Sequence, residues 1–163
     1  MKKYYNPVIK KNIVEINIGD YYVTWKKDEV LYTVLGSCVS VCLWNTRAGL
    51  IGMNHFMLPE HTKTSKTVTG KFGDISLQLL LKEMVRYGSN IKDLKGAIFG
   101  GSFAKGVVID VGESNIKMAR DFLKKEKIPV MKESVGGVRA RRVYFYAHNQ
   151  QIKVIELKSL NNR

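Results

Sequence analysis

The chain has 163 residues, 45% of them hydrophobic and 25% charged, which is enough for one globular domain with a core of its own. No apolar run approaches the roughly 20 residues of a membrane span, and the polar start offers no apolar segment for a signal peptide, so we expect a cytoplasmic protein without membrane insertion. The formal net charge of +13 favours acidic partners. The lysines are scattered along the chain, which favours a solvated face or a surface for an acidic protein over nucleic-acid binding.

The first part of the chain predicts an exposed arm and then a run of short strands. Residues 1–11 are interpreted as the arm, and residues 12–163 as a single domain. Gly36 and Ser37 break the third strand, and the apolar residues after them alternate with period two, as in a half-buried strand. A hairpin-length turn follows, and the returning strand stops before Pro59. Strands are predicted at residues 13–18, 21–25, 30–35, 39–44 and 50–57.

The second part predicts two amphipathic helices among further strands. After a polar surface loop over 60–73, Asp74 is predicted to cap a helix that ends at Gly88, and a second helix is predicted over 114–127. Many strands and two helices around one core predict an α/β or α+β sandwich with mixed, mostly antiparallel strands. The remaining strands are predicted at residues 94–99, 128–135, 142–147 and 152–157.

The groups with the clearest chemical potential are the thiol of Cys38 and the imidazole of His55. Cys38 follows the turn at Gly36 and Ser37, whose backbone N–H groups could point at one oxyanion. His55 ends the returning strand, so the two side chains are expected near the same ends of adjacent antiparallel strands. Such a pair is what a thiol-dependent acyl-transfer enzyme requires. Thr33 is the nearest upstream hydroxyl that could orient the imidazole.

Other interpretations of these residues remain open. A lone cysteine is often a small buried hydrophobe and a lone histidine a structural hydrogen-bonding group; Cys42, in mid-strand, is interpreted as core. Cys38, Cys42, His55 and His61 could instead be four zinc ligands, but structural zinc sites use closely paired ligands on turns, so no metal is expected. The glycines at 100–101 and 136–137 match no phosphate-binding fingerprint and are interpreted as tight turns.

Two segments closely resemble the signature of the CheD family of chemoreceptor glutamine deamidases. They are Leu-Gly-Ser-Cys-Val-Ser-Val-Cys-Leu-Trp at 35–44 and Gly-Met-Asn-His-Phe-Met-Leu-Pro at 52–59. Shorter matches follow in the same order along most of the chain, at residues 71–74, 98–102, 112–116, 135–137 and 141–143.

The resemblance implies a fold and a set of site residues. The implied fold is an α/β sandwich related to the catalytic domain of cytotoxic necrotizing factor toxins, and the implied activity is hydrolysis of glutamine side-chain amides, and of methyl esters, on receptor cytoplasmic helices. Cys38 matches the family's nucleophile, His55 its histidine and Thr33 its threonine. The candidates for the substrate-binding and oxyanion site are Gly36, Ser37 and Asn54.

The resemblance also implies partners. These are the cytoplasmic domains of chemoreceptors and a CheC-type phosphatase that regulates the enzyme, and no cofactor is expected. A non-catalytic adaptor that binds receptors or a CheC-type phosphatase is the alternative. A nucleic-acid-binding module is a third possibility, although the interleaved aromatic and basic residues of such surfaces are missing from the sequence.

Overall fold

Two stacked sheets and two helices make up the computed structural model, which describes residues 1–158 except 63, 65, 66, 104, 105 and 107. Parts of the predicted 60–73 loop and the end of the predicted 12–163 domain therefore lie outside the described residues. The strands are β1 (Lys2–Asn6), β2 (Lys11–Glu15), β3 (Tyr21–Thr24), β4 (Glu29–Leu35), β5 (Val39–Asn45), β6 (Leu50–Asn54), β7 (Lys95–Gly100), β8 (Val130–Val135), β9 (Arg141–Tyr146) and β10 (Ile152–Glu156). The helices are α1 (Gly73–Arg86) and α2 (Val111–Lys125), with a short 3₁₀ turn at Ile91–Asp93.

The strand order explains how the sandwich is built. The first sheet has the order β1-β2-β4-β9-β10 and the second the order β3-β6-β5-β7-β8. All neighbours are antiparallel except the pairs β2–β4 and β7–β8. The predicted α+β sandwich, with mostly antiparallel strands and two main helices, is confirmed.

The core has two layers, one on each face of the second sheet. Along β5, Val39, Val41 and Leu43 face the helices, whereas Cys42 and Trp44 face the first sheet. This follows from the period of two along a strand. Cys42 is fully buried between the sheets, as the interpretation of it as a core residue predicts.

The segment 1–11 differs from a simple exposed arm. Its side chains are mostly exposed, but Lys2–Asn6 forms β1, which pairs with β2 in a register from Lys2 opposite Glu15 to Asn6 opposite Lys11. An edge strand needs hydrogen bonds on one side only, and lysines are common there because they discourage further pairing. The polar sequence of β1 therefore carries little of the alternation that marks the inner strands.

The helix starts also differ from their sequence predictions. α1 begins at Gly73 after Phe72, and no side chain caps it. Asp74 lies within the first turn, where its carboxylate accepts from the backbone N–H groups of His61 and Ile75. α2 begins at Val111, with the Asp110 side chain accepting from Glu113 N. In the described part of the chain, no helix is long and apolar enough to cross a membrane.

Candidate active site

Thr33 and His55 meet between the two sheets. Thr33 lies on β4 of the first sheet, and His55 directly follows β6 of the second. Thr33 Oγ1 lies 2.8 Å from His55 Nδ1 and 2.8 Å from the carbonyl oxygen of Ile16. The single hydroxyl hydrogen is donated to that carbonyl, so Nδ1 must carry the hydrogen that it shares with Oγ1. The Ile16 oxygen, 3.2 Å from Nδ1, favours the same tautomer.

The other ring nitrogen of His55 is left free by this arrangement. Nε2 is buried and has no hydrogen-bond partner among the residues that the structure describes. The backbone of His55 is held by Gly19 N, which donates to its carbonyl, and by Asp20 O, which accepts from its N–H. Burial lowers the pKa of His55, and the Ile16 carbonyl and the Asp20 charge oppose this only in part. The imidazole is therefore neutral near pH 7, with an unshared lone pair on Nε2.

Cys38 lies where the chain crosses from one sheet to the other. Residues 36–38 connect β4 of the first sheet with β5 of the second. The thiol is half-buried against the core between the sheets. Burial raises its pKa, and the backbone N–H of Cys38 itself opposes that rise. The resting group is accordingly a thiol.

Cys38 and His55 face the same side of the second sheet. Val39 and Phe56 exchange two backbone hydrogen bonds of 3.0 Å. Cys38 directly precedes Val39 and His55 directly precedes Phe56, so Cys38 and His55 are diagonal neighbours across this pair. Diagonal neighbours in an antiparallel pair have Cα atoms roughly 7–8 Å apart, within reach of long side chains. Among the described residues, no hydrogen bond joins the thiol to the imidazole.

The crossover also presents candidate oxyanion donors. Gly36 and Ser37 are exposed. The backbone N–H groups of Ser37 and Cys38 donate to no other residue in the described part of the chain. Carbonyls of the same turn are occupied, because Gly101 N donates to Cys38 O at 2.8 Å and Ser102 N donates to Gly36 O at 2.8 Å. Hydrogen bonds to its carbonyl oxygens thus fix the turn, and its N–H groups stay available to a substrate.

Asn54 does not belong to this site, which corrects its assignment as an oxyanion residue. Its side chain is fully buried on the helix side of the sheet, where Oδ1 accepts from Val41 N at 2.7 Å and Nδ2 donates to Ser76 Oγ at 3.1 Å. Successive residues of a strand point to opposite faces, so the position before His55 faces away from it.

A cleft of about 480 Å³ opens beside the imidazole. Its walls combine apolar and polar side chains, and Glu15 and Lys71 contribute charges. Cys38 is not part of its lining. The lining residues are Glu15, Ile16, Asn17, Ile18, Thr33, Val34, His55, Met57 and Lys71.

Asn115 is a polar residue of the site region to which the sequence analysis gave no role. It lies on α2, is fully buried, and donates from Nδ2 to Ser37 O at 3.1 Å and to Met57 O at 2.9 Å. The only sequence signal is its place in the motif at 112–116, and that motif does not indicate which backbone groups it binds.

The four residues considered as zinc ligands are dispersed. Cys42 is buried in the core between the sheets, and the His61 ring lies edge-on against Phe72 with ring centroids 5.2 Å apart. Within the described residues, no three His, Cys, Asp or Glu side chains are grouped so as to hold a metal ion.

Comparisons with known proteins agree with the signature segments. A family model described as "CheD chemotactic sensory transduction" matches residues 57–156, which follow both Cys38 and His55. Similarity to curated proteins extends over nearly the whole chain. A protein of Herminiimonas arsenicoxydans named "Probable chemoreceptor glutamine deamidase CheD" is 34% identical over 164 residues, covering 98% of this chain and 80% of that protein. A protein of the same name from Ralstonia nicotianae is 36% identical over 160 residues, covering 96% of this chain and 68% of that protein.

Among solved structures, the crystal structure of the Bacillus licheniformis hypothetical protein YfiH is similar with a TM-score of 0.48 and 15% identity, over 71% of this chain and 50% of that chain. The family model covers more than half of the chain, and the relatives are similar over almost all of it. On these two findings, the chain belongs to the CheD family.

Proposed function

We propose that this protein is a cysteine-dependent amidohydrolase that converts glutamine side chains on chemoreceptor cytoplasmic helices to glutamate. The observation that carries the proposal is the Thr33–His55 hydrogen bond, which leaves an unshared lone pair on Nε2 at the face where Cys38 lies. The names of the relatives supply the substrate class.

The reaction begins from a neutral pair of groups. As the substrate amide arrives, His55 Nε2 takes the proton of the Cys38 thiol, and Sγ attacks the amide carbon. The carbonyl oxygen becomes an oxyanion that the N–H groups of Ser37 and Cys38 can receive. The carbon–nitrogen bond then breaks, and the imidazolium returns its proton to the departing ammonia.

Water completes the cycle. His55 removes a proton from a water molecule that attacks the thioester, and the products are a glutamate side chain and the regenerated thiol. Throughout, the hydrogen bond from Nδ1 to Thr33 keeps the ring in one orientation and supports the imidazolium when it forms. The same steps with a methyl ester would release methanol, and we include that reaction in the proposal.

Docking of a folded receptor must supply the specificity, because a glutamine side chain alone offers little binding energy. We propose that the reaction takes place in the cytoplasm and that a CheC-type phosphatase regulates it. The proposed oxyanion donors are the backbone N–H groups of Ser37 and Cys38, and the exposed Gly36 precedes them in the turn.

Mass spectrometry of a receptor cytoplasmic fragment incubated with the protein tests this function. We expect conversion of specific glutamines to glutamates by the wild type and none by Cys38→Ala. Cys42→Ala is the matched control, since it removes the buried thiol and should leave conversion intact.

The contrary result would be receptor binding without conversion by the reduced wild-type protein. If receptor binding also survived Cys38→Ala, binding would not require the thiol. The protein would then be a non-catalytic adaptor.

A further inference from the structure

At its end nearest the proposed nucleophile, the pairing that continues β5 and β6 stops at Val39, the residue directly after Cys38. Val39 and Phe56 exchange hydrogen bonds in both directions. The same register would next pair Ser37 with Leu58, but Leu58 N donates instead to Lys71 O at 3.1 Å. The carbonyl of Ser37 is therefore left without the strand partner that the ladder would have given it.

The side-chain amide of Asn115 takes the place of that missing partner. Its Nδ2 atom donates to two carbonyl oxygens, those of Ser37 at 3.1 Å and of Met57 at 2.9 Å. Ser37 directly precedes Cys38, and Met57 lies two residues after His55. One buried amide thus ties the nucleophile's turn to the strand end that carries the base.

Close packing fixes the helix that presents this amide. A Cβ atom on Gly112 would lie 2.5 Å from Gly101 O, so the first turn of α2 contacts the end of β7 backbone to backbone. Gly101 N in turn donates to Cys38 O at 2.8 Å. The carbonyl of Ser37 is therefore bound by α2 and that of Cys38 by the residue after β7, and these two elements pack directly against each other.

Because the peptide bond between Ser37 and Cys38 is trans, the hydrogen bond to the Ser37 carbonyl also orients the N–H of Cys38. The C=O of Ser37 and the N–H of Cys38 belong to one planar unit and point in opposite directions. When Asn115 holds the carbonyl on the side of α2, the Cys38 N–H is directed away from α2. That N–H is one of the two proposed oxyanion donors, and it has no other partner among the described residues.

We propose that Asn115 is a positioning residue, which aims the Cys38 N–H at the reacting atoms by holding the Ser37 carbonyl. The inference rests on the proposed function for its catalytic meaning. Asn115 does not contact the substrate in this scheme, and its effect is transmitted through a single peptide plane.

Asn115→Leu and Asn115→Ala test this role, the first keeping the branched shape of the side chain and both removing the donor. We expect kcat for receptor deamidation to fall about 10- to 100-fold, less than on outright removal of an oxyanion donor, with KM changed less than about threefold. The second readout is the rate at which iodoacetamide alkylates Cys38, measured by peptide mass spectrometry at a series of pH values. We expect the pH at which this rate rises to be higher in both variants, because the thiolate loses an aligned N–H.

Asn45→Ala is the matched control. Asn45 is 3% exposed at the far end of β5, and its Oδ1 accepts from Ala48 N at 3.1 Å. This variant should lower the melting temperature and leave the Cys38 alkylation profile unchanged.

Wild-type alkylation and kcat in a folded Asn115→Leu protein would overturn the inference, and Asn115 would then be structural like Asn45. Should Asn115→Ala fail to fold, Asn115→Leu carries the test because its branched side chain leaves no cavity. The alkylation profile needs no receptor, so a wild type that deamidates nothing would end the proposed function and still leave the role of Asn115 decided.

Discussion

Thr33 and the backbone carbonyl of Ile16 together determine which nitrogen of His55 carries the proton. Its hydroxyl donates to Ile16 O and therefore accepts from Nδ1, which leaves Nε2 as the basic atom. The Ile16 carbonyl lies 3.2 Å from Nδ1 and can hold the same tautomer less well. Thr33 thus refines an orientation that the backbone already favours.

Thr33→Val removes the hydroxyl and keeps the shape of the side chain. We expect kcat for deamidation to fall about tenfold because the ring is held less firmly, with the remaining Ile16 contact preventing a complete loss. Steady-state kinetics measure the change. Thr33→Ser retains the hydroxyl and should stay near the wild-type rate, and equal losses in both variants would mean that packing rather than the hydrogen bond matters.

Burial of His55 makes stability depend on acid. Its folded pKa is below the ordinary 6.5, so under mildly acidic conditions the unfolded chain binds more protons than the folded one. We expect the free energy of unfolding, from urea titrations, to fall as the pH drops below about 6.5, and His55→Gln to weaken this fall. An equally steep fall in His55→Gln would assign it to other groups.

Sequence patterns identify the proposed reactive residues better than the residues that support them. Cys38 and His55 are predicted from a glycine turn and the end of a strand, and in the structure they lie at neighbouring ends of β5 and β6. Asn54 and Asn115 do not follow, because each binds backbone groups of remote segments. Which carbonyl a sheet leaves unpaired depends on where its ladder ends, and Leu58 turning to Lys71 is not visible in the sequence.

At the scale of elements, the end of β7 packs closely against the turn that carries Cys38. Gly100 has a φ of 102°, and a Cβ there would collide with the carbonyl oxygen of Cys38. Only glycine combines this backbone conformation with so close an approach.

Gly100→Ala should therefore destabilise the protein more than an ordinary substitution in a left-handed turn. Gly49 is the matched control, because it has a φ of 65° and a Cβ added to it would have no atom within 4 Å. We expect Gly49→Ala to cost about 1–2 kcal/mol and Gly100→Ala at least about 3 kcal/mol in urea unfolding. Equal costs would show that the turn can move away from β7.

The inner strands could be predicted from alternation, whereas β1 could not. Residues of β4, β5 and β6 bury one or both faces, and that burial imposes an apolar pattern on the sequence. β1 exposes most of its side chains and contributes chiefly backbone hydrogen bonds to β2. Backbone pairing at an edge leaves no hydrophobic signature.

At the scale of the whole molecule, the net charge of +13 favours an acidic receptor surface. We expect KM for the receptor fragment to rise with added salt while kcat changes little, because the Debye length shrinks from about 10 Å at 0.1 M to about 3 Å at 1 M. Alkylation of Cys38 by neutral iodoacetamide is the control and should not respond. A kcat/KM that is independent of salt would show that electrostatic attraction does not contribute to docking of the receptor.

The strands next to the proposed catalytic side chains in the sheets are distant from them along the chain. Thr33, Cys38 and His55 all precede the loop between β6 and α1, yet β9 pairs with β4, and β7 pairs with β5, from the far side of that loop. Neither half can complete a sheet alone. We therefore expect two polypeptides made by dividing the protein in this loop to complement each other, with the proposed deamidation returning only when the halves associate and so reporting on their assembly.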